Sequence, residues 1–488
     1  MRSISVRRGT YVDSVSLMQV SRRVASLDGV TSALVAMATE LNRDLAAGMG
    51  FDVPAASANE MLVAVEAASE SVLASALAEV DAALTEPSTP AATGFGGAPP
   101  PVTVLAAAAR ARADVALIST PGQYAFADAV DAVDAGLLTM VFSDNVPLAQ
   151  EVALKEYAEA AGVLVMGPDC GTAVVGGVGL GFANVVRPGP VGLVAASGTG
   201  AQHLMSLLDG VDVGISHCLG VGGRDLSAEV AGRSTLRALD LLDEDESTSL
   251  VVVVSKPPDA SVAERVREHA FSLRTPVVLA VLGPGEPDLT ATAKAVVEAT
   301  GGTWTSPEHW PGVVTTGRPG GAVRGLFAGG TLCDEATLVA SAALGPMRSN
   351  NAWTPAWSPG DDLASDGHTM VDFGDDRLTR GRPHPMIDGS IRVERLLAEL
   401  EDPTAGVILL DVVLGLNATP DPATELAVPV RAATAAGVPV VASLVGTRDD
   451  PQGLRQQAAR LNDAGAWVFL SNAAAARCAV DLLVTGGM

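Results

Sequence analysis

Short apolar runs at 115–119, 138–142, 163–166, 191–196, 250–254 and 277–282 alternate with helical stretches such as 125–135 and 148–161. The runs lack the in–out alternation of a half-exposed strand, so each reads as a strand buried on both faces. Strands separated by helices make a parallel sheet covered on both sides. The theme returns at 407–411, 438–444 and 467–470. Ahead of it, after a short strand, 14–27 and 57–84 carry apolar residues at helical spacing. Three stretches break the pattern, at 86–101, 301–321 and 345–367, all rich in Gly, Pro and polar residues. The first two read as linkers and the third as an inserted surface loop. The expected fold is therefore α/β, with two or three doubly wound domains. In such sheets ligands bind beyond the carboxyl ends of the strands.

Composition narrows the partners. A length of 488 residues is too great for one compact core. A net charge of −25 argues against nucleic acid and anionic membranes. A small anionic substrate stays open, because backbone N–H groups bind anions whatever the global charge. Cys170, Cys218, Cys333 and Cys478 lie far apart and form no CxxC pair, which sets aside a zinc site or a disulfide framework. No metal is expected. A reducing, cytoplasmic location is expected, since the basic start has no apolar stretch after it and no run reaches the roughly 18 residues of a membrane span.

Candidate chemistry lies in the loops after the strands. Ser197-Gly198-Thr199-Gly200 follows a buried strand and opens a helix. Its glycines admit a ligand, and the helix end offers free N–H donors and a favourable dipole. The plain alternative is a tight turn with Ser197 as the helix cap. Asp372 to Asp388 holds Asp375, Asp376, Arg377, Arg380, Arg382 and a proline-flanked His384. Arg380 and Arg382 read as anion clamps, and His384 as an acid, base or nucleophile. The alternative is a solvated loop whose arginines pair with Asp375 and Asp376. Gly222, Gly223 and Arg224 form a glycine turn with an arginine in reach of an anion, or a plain turn with an Arg224–Asp225 pair. Lys256, in Ser255-Lys256-Pro257-Pro258, sits at the active edge of its sheet, although the prolines alone explain the strand's end. Gly330 and Thr331 precede a helix carrying Cys333, which reads as packing. Asp169, after 163–166, either touches a ligand or closes a turn.

Taken in order, Gly167-Pro168-Asp169-Cys170-Gly171-Thr172, Ser197-Gly198-Thr199-Gly200, Gly222-Gly223-Arg224-Asp225-Leu226, Ser255-Lys256-Pro257-Pro258, Gly329-Gly330-Thr331-Leu332-Cys333-Asp334-Glu335 and Gly381-Arg382-Pro383-His384-Pro385 resemble the FdrA family. That family is a branch of the succinyl-CoA synthetase-like (acyl-CoA synthetase, NDP-forming) superfamily. The resemblance runs from about residue 100 to the end. It implies an N-terminal α/β segment and linker at 1–99, a CoA-binding-type Rossmann-like domain at 100–187, a first flavodoxin-like ligase domain at 188–320 and a second at 321–488. It implies two helix N-termini that face each other and grip a phosphate, one at Ser197–Gly200 and the other, by position, at Gly374–Arg377. The synthetases relay phosphate through a histidine late in the first ligase domain. Here that stretch, Gly283-Pro284-Gly285-Glu286-Pro287, has none, and no ATP-grasp domain is visible. The resemblance further implies one subunit of an oxamate carbamoyltransferase of purine catabolism, oligomeric and completed by partner chains, with phosphate as a substrate and no certain cofactor. In this reading His384, Arg382 and Lys256 carry catalysis, while Asp169, Gly222, Gly223, Arg224, Gly330 and Thr331 hold substrate. Two other readings stand beside it: a synthetase forming CoA thioesters, with CoA or a nucleotide bound, and a ligand-binding regulatory subunit without chemistry.

Overall fold

The computed structural model describes residues 1–8, 12, 14–58, 60–85, 101–313, 320–360, 363–379 and 383–484. Two compact units make up the chain. One is Met1–Ala111 with Ser119–Pro121 and Thr379–Pro383; the other is Arg112–Ile118, Gly122–Leu378 and His384–Met488. Residues 86–100, expected as a linker, lie outside the described residues.

The first unit holds an antiparallel sheet of Arg2–Arg7, Met61–Ala67 and Val30–Met37, in that spatial order. Helices Ser14–Ala25 and Glu70–Thr85 contribute Leu17, Val24, Ala76 and Val80 to a core shared with Val35, Val63 and Val65. The expected helix over 57–84 is corrected here, because its first half is the central strand of this sheet. Met61-Leu62-Val63-Ala64-Val65 is buried on both faces, and such a run cannot be told from a buried helix by spacing alone.

The second unit carries three sheets. The smallest is parallel, made of Val115–Ile118, Leu138–Val141 and Val165–Met166. Next comes a six-stranded sheet, ordered Val277–Val281, Leu250–Ser255, Pro188–Ala195, Ile215–Gly220, Thr172–Val175, Val178–Gly181. Its first four strands are parallel, and the last two form an antiparallel hairpin. That hairpin crosses the expected boundary at 187, since residues 172–181 pair in the six-stranded sheet rather than in the small one. The third sheet runs His309–Trp310, Trp467–Phe469, Val440–Val445, Ala405–Val413, Ala322–Phe327, Thr369–Asp372, Arg348–Ser349. All of its neighbours are parallel except the first pair.

Two of the expected breaks therefore carry structure. The second contributes the edge strand His309–Trp310, and its residues 314–319 lie outside the described set. The third, read as a surface loop, contributes the opposite edge strand Arg348–Ser349, and Trp353 packs against the core of the six-stranded sheet. Valine, leucine and isoleucine fill both large sheets, as a sheet covered on both faces requires. Among the described residues no helix is long and apolar enough to cross a membrane.

A buried ionic cluster ties the small sheet to the six-stranded one. Lys155, on helix Leu148–Ala161, donates to Glu151 Oε1 at 3.0 Å, Asp225 Oδ1 at 2.8 Å and the Val221 carbonyl at 2.9 Å. Asp225 in turn accepts from the N–H groups of Ser234 and Thr235 and from the Thr235 hydroxyl. It thereby caps the helix Arg233–Glu244, whose own cap residue, Gly232, has no side chain to do so.

Candidate functional site

The strand Pro188–Ala195 leads into the helix Gly198–Asp209, and the strand Ala322–Phe327 leads into the helix Gly330–Leu344. Their N-termini meet. Ser197 Oγ and Thr331 Oγ1 share a hydrogen bond of 2.5 Å across 134 residues of sequence. Glycine makes the approach feasible. A methyl at Gly200 would lie 2.5 Å from Ser197 Oγ and 3.0 Å from Thr331 Cγ2, and one at Gly329 would lie 2.8 Å from Thr199 Oγ1. Ser197 also caps its own helix through Gly200 N–H at 3.0 Å.

The remaining first-turn N–H groups have no acceptor within their helices. The end at Gly329 has no side-chain cap. Two positive helix ends brought this close repel, and a bound anion would offset that repulsion. The second loop is held from below. Asp411 accepts from Ala328 N–H at 2.7 Å and Gly329 N–H at 2.8 Å, and Arg392 Nη1 donates to Asp411 Oδ1 at 2.8 Å. Both side chains are buried, so the loop's shape is fixed by a neutralised pair. This leaves the N–H groups of Gly330, Thr331 and Leu332 for a ligand.

Four further groups surround this end. Lys256 Nζ pairs with Asp334 Oδ2 at 2.8 Å, yet 43% of the Lys256 side chain stays accessible. Burial opposes its charge, but the carboxylates of Asp334 and Asp372 outweigh that and hold its pKa above the usual value. Asp372 is buried. Its Oδ1 accepts from Gly374 N–H at 2.9 Å and its Oδ2 from Asn351 Nδ2 at 2.8 Å. Asn350 bonds the Asp372 backbone on both sides, donating to its carbonyl at 2.8 Å and accepting its N–H at 2.9 Å. Both asparagines come from the stretch expected to be a surface loop. Sequence reasoning missed them, and a polar pair flanked by Ser349 and Trp353 was the only signal available.

The expected second helix end at Gly374–Arg377 is corrected. The helix Asp376–Thr379 is a single turn. Asp375 already occupies it, accepting the Arg377 N–H at 2.8 Å and pairing with Arg377 Nε at 3.0 Å and Nη2 at 2.9 Å. A local carboxylate thus takes the donors that an anion would need. Gly374 has a different role: a methyl there would lie 2.6 Å from the Ala328 carbonyl and 2.8 Å from His384 Nε2. Arg380 and Arg382 lie outside the described residues.

His384 packs against Phe182, with ring centroids 6.1 Å apart. Its Nδ1 accepts from Met386 N–H at 3.2 Å, so Nε2 carries the proton of the neutral ring. Burial, and then the charge of Arg392, push its pKa down to about 4. At neutral pH the ring is uncharged, so it is not a ready proton donor, and its Nδ1 is already engaged by the Met386 N–H.

The other expected substrate residues sit elsewhere. Arg224 does not pair with Asp225; its Nε meets Glu151 Oε2 at 2.8 Å and its Nη2 donates to the Val146 carbonyl at 2.9 Å. Gly222 has φ +88°, and a methyl there would lie 2.5 Å from the Pro168 carbonyl, so a close backbone approach explains it. Gly223 faces open space. Asp169, at φ +59°, is accessible. Partial desolvation, then the charges of Asp376 and Asp144, raise its pKa above the usual carboxylate range.

The comparisons bear on both ends of the chain. The family model described as "AllF, heavy metal-associated domain" matches residues 1–99, and the one described as "CoA-ligase" matches 326–482. YahF of Escherichia coli (strain K12), itself described as uncharacterized, is 36% identical over 491 residues, covering 95% of each chain. The succinate–CoA ligase [ADP-forming] subunit alpha 1 of Archaeoglobus fulgidus is 28% identical over 207 residues, which is 41% of this chain and 69% of that protein. A solved structure of the dinucleotide-forming acetyl-coenzyme A synthetase 1 of Ca. Korarchaeum cryptofilum aligns at 18% identity and TM-score 0.30, over 82% of this chain and 88% of that one.

Two implied groups are tested by the residues present. Heavy metals favour thiolate and imidazole ligands, and residues 1–99 contain neither Cys nor His. Met37 and Met61, which carry the softest donors left in the sheet, are buried in its core. A heavy metal does not fit this domain. Extensive chelation is expected to leave the melting temperature of the purified chain unchanged within about 1 °C, where loss of a structural metal would shift it by many degrees. Melting with and without chelator, beside metal analysis of the untreated protein, checks this; one tightly held metal per chain would refute it. For coenzyme A the small sheet is equally unpromising. Its strand ends present Asp144 and Asp169, Asp376 faces them, and Arg224 is tied to Glu151. Among the described residues this edge has the wrong sign for a pyrophosphate.

Proposed function

The chain belongs to the FdrA-like family that includes YahF, within the succinyl-CoA synthetase-like superfamily, and from that premise we propose that it is the phosphate-binding subunit of a carbamoyltransferase. The reaction is cleavage of oxalurate by phosphate to oxamate and carbamoyl phosphate. The observation that carries the reading is the meeting of two helix N-termini at Ser197 and Thr331.

Phosphate held there is polarised by N–H groups from both helices. One of its oxygens attacks the ureido carbonyl. Charge developing on that carbonyl oxygen is met by preorganised donors, which cost no rearrangement during the reaction. The first ligase domain has no histidine in its loop at 283–287, so phosphate acts as a reactant rather than through an enzyme-bound phosphoryl group. His384, neutral, packs against the Gly374 loop.

A second reading, formation of a CoA thioester, is favoured by the match over 326–482 and disfavoured by the acidic edge of the small sheet. One assay separates them. Purified chain and its candidate partner chains are supplied with oxalurate and phosphate, and carbamoyl phosphate is followed. Phosphate-dependent product supports the transferase. Thioester formation from a carboxylic acid, ATP and coenzyme A, with no carbamoyl phosphate, would replace it with the ligase.

A further inference from the structure

Three side chains from three separate elements converge on one glycine at the paired helix ends. A methyl at Gly330 would lie 2.6 Å from Asp372 Oδ2, 3.3 Å from Asn351 Nδ2 and 3.3 Å from Lys256 Nζ. Asp372 ends the strand Thr369–Asp372, Asn351 follows the edge strand Arg348–Ser349, and Lys256 follows the strand Leu250–Ser255. Each Asp372 oxygen accepts one N–H, from Gly374 and from Asn351, and keeps acceptor capacity to spare. Lys256 is anchored by Asp334, and its side chain stays 43% accessible.

We propose that Asp372 is the acid of the reaction, delivering a proton to the departing nitrogen of a ureido or N-acyl substrate, while Lys256 holds that substrate's carboxylate. The proposal rests on the carbamoyl-transfer reading and adds the group that reading lacks. An amide nitrogen is a poor leaving group unless protonated, and neutral His384 is a weak acid. In the step, a phosphate oxygen forms a bond to the carbonyl carbon. The carbon–nitrogen bond breaks, its electron pair goes to nitrogen, and nitrogen takes the proton from Asp372. The products are carbamoyl phosphate and a primary amide. The attacking hydrogen phosphate loses its own proton on becoming carbamoyl phosphate, solvent relays a proton back to the Asp372 carboxylate, and no oxidant or reductant takes part.

The surroundings suit the task. Burial pushes Asp372 up to about 7, against the pull of Lys256, with Asp334 adding to the rise. The titratable groups facing it are Lys256, Asp334 and Cys333, with His384 across Gly374. Burial and the two carboxylates hold the Cys333 thiol well above its usual value, so it stays protonated and inert. An acid that titrates near neutrality combines a populated acid form with a useful driving force. The proton is present below about 7 and lost above it. The rate with a ureido substrate therefore falls on the alkaline side.

The test compares two carbamoyl donors with the full chain, its partner chains and phosphate. Oxalurate needs a proton on nitrogen; 4-nitrophenyl carbamate releases a phenolate that needs none. Asp372→Asn is expected to lose about 10²-fold or more in kcat on oxalurate, as removal of a general acid does. Its loss on the nitrophenyl ester is smaller by an order of magnitude or more, and its residual oxalurate rate has no alkaline fall. The ester also reports that the variant is folded. Equal losses on both donors, or an unchanged pH profile, would overturn the proposal alone. Absence of phosphate-dependent turnover of either donor by the wild-type chain would overturn the carbamoyl-transfer reading and the proposal with it.

Discussion

Replacing Lys155 with methionine is expected to destabilise the second unit by about 3–5 kcal/mol, the usual cost of leaving a buried charge without its partner. The side chains of Lys155, Glu151 and Asp225 are each no more than 1% accessible. Lys155 spends all three of its donors on Glu151, Asp225 and the Val221 carbonyl. Methionine keeps the volume and the apolar stem but removes the charge. Two buried carboxylates then share one half-exposed cation, Arg224, which pairs with Glu151 rather than with Asp225. Asp225, the cap of the helix Arg233–Glu244, then lies buried with no cation beside it among the described residues. The expected fall in melting temperature is roughly 6–20 °C, taking about 2–4 °C for each kcal/mol. The comparison variant is Arg455→Ala, which breaks an exposed pair with Glu308 and is expected to cost about 1 kcal/mol or less. Thermal or urea unfolding of both decides the matter, and a Lys155→Met loss no larger than that of Arg455→Ala would show that the cluster contributes little.

The second large effect is on binding. Gly330→Ala is expected to weaken phosphate binding at least ~10-fold and to lower any phosphate-dependent rate by about 10²–10³, the cost of losing oriented oxyanion donors. Alanine suits the first turn of a helix, so its backbone preference is not the problem. The obstacle is Asp372 Oδ2, 2.6 Å from the new methyl and pinned by Asn351. Either the carboxylate or the helix end must move, and the register with Ser197 goes with it. Gly223→Ala is the control, because nothing lies within 4 Å of a methyl there. Isothermal titration with phosphate distinguishes them. Wild-type affinity in Gly330→Ala would show that the helix ends do not hold the anion.

The half of the site that could be read from sequence is the local half. Ser197-Gly198-Thr199-Gly200 announces itself because strand, glycine and cap are contiguous, and Lys256 is placed by the strand that precedes it. The repeated strand–helix theme gave the parallel sheets in the same way, and helix Leu148–Ala161 fell where its apolar spacing placed it. What was missed is long-range. Nothing near Thr331 says that its hydroxyl meets Ser197, and the position implied by the family resemblance pointed to Gly374–Arg377 instead. Asn351 lay inside a stretch whose prolines suggested a loop, and only the parallel pairing of Arg348–Ser349 with Thr369–Met370 brings it to Asp372. His384 illustrates a different limit: its flanking prolines were visible, but its burial beside Arg392 was not. Lys155 is similar, since a lysine on an Ala-rich helix reads as exposed until the strand end that covers it is known.

The two helix ends of the proposed anion site come from one polypeptide, Ser197 before the strand order of one sheet is complete and Thr331 at the start of the next. Their encounter is therefore intramolecular, governed by an effective concentration that the connecting chain sets rather than by the amount of protein present. Dilution cannot separate them, and synthesis delivers them in fixed one-to-one proportion. The pairing of the two helix ends forms once per chain, and a concentration-dependent activity would report association with other chains rather than the assembly of this pair.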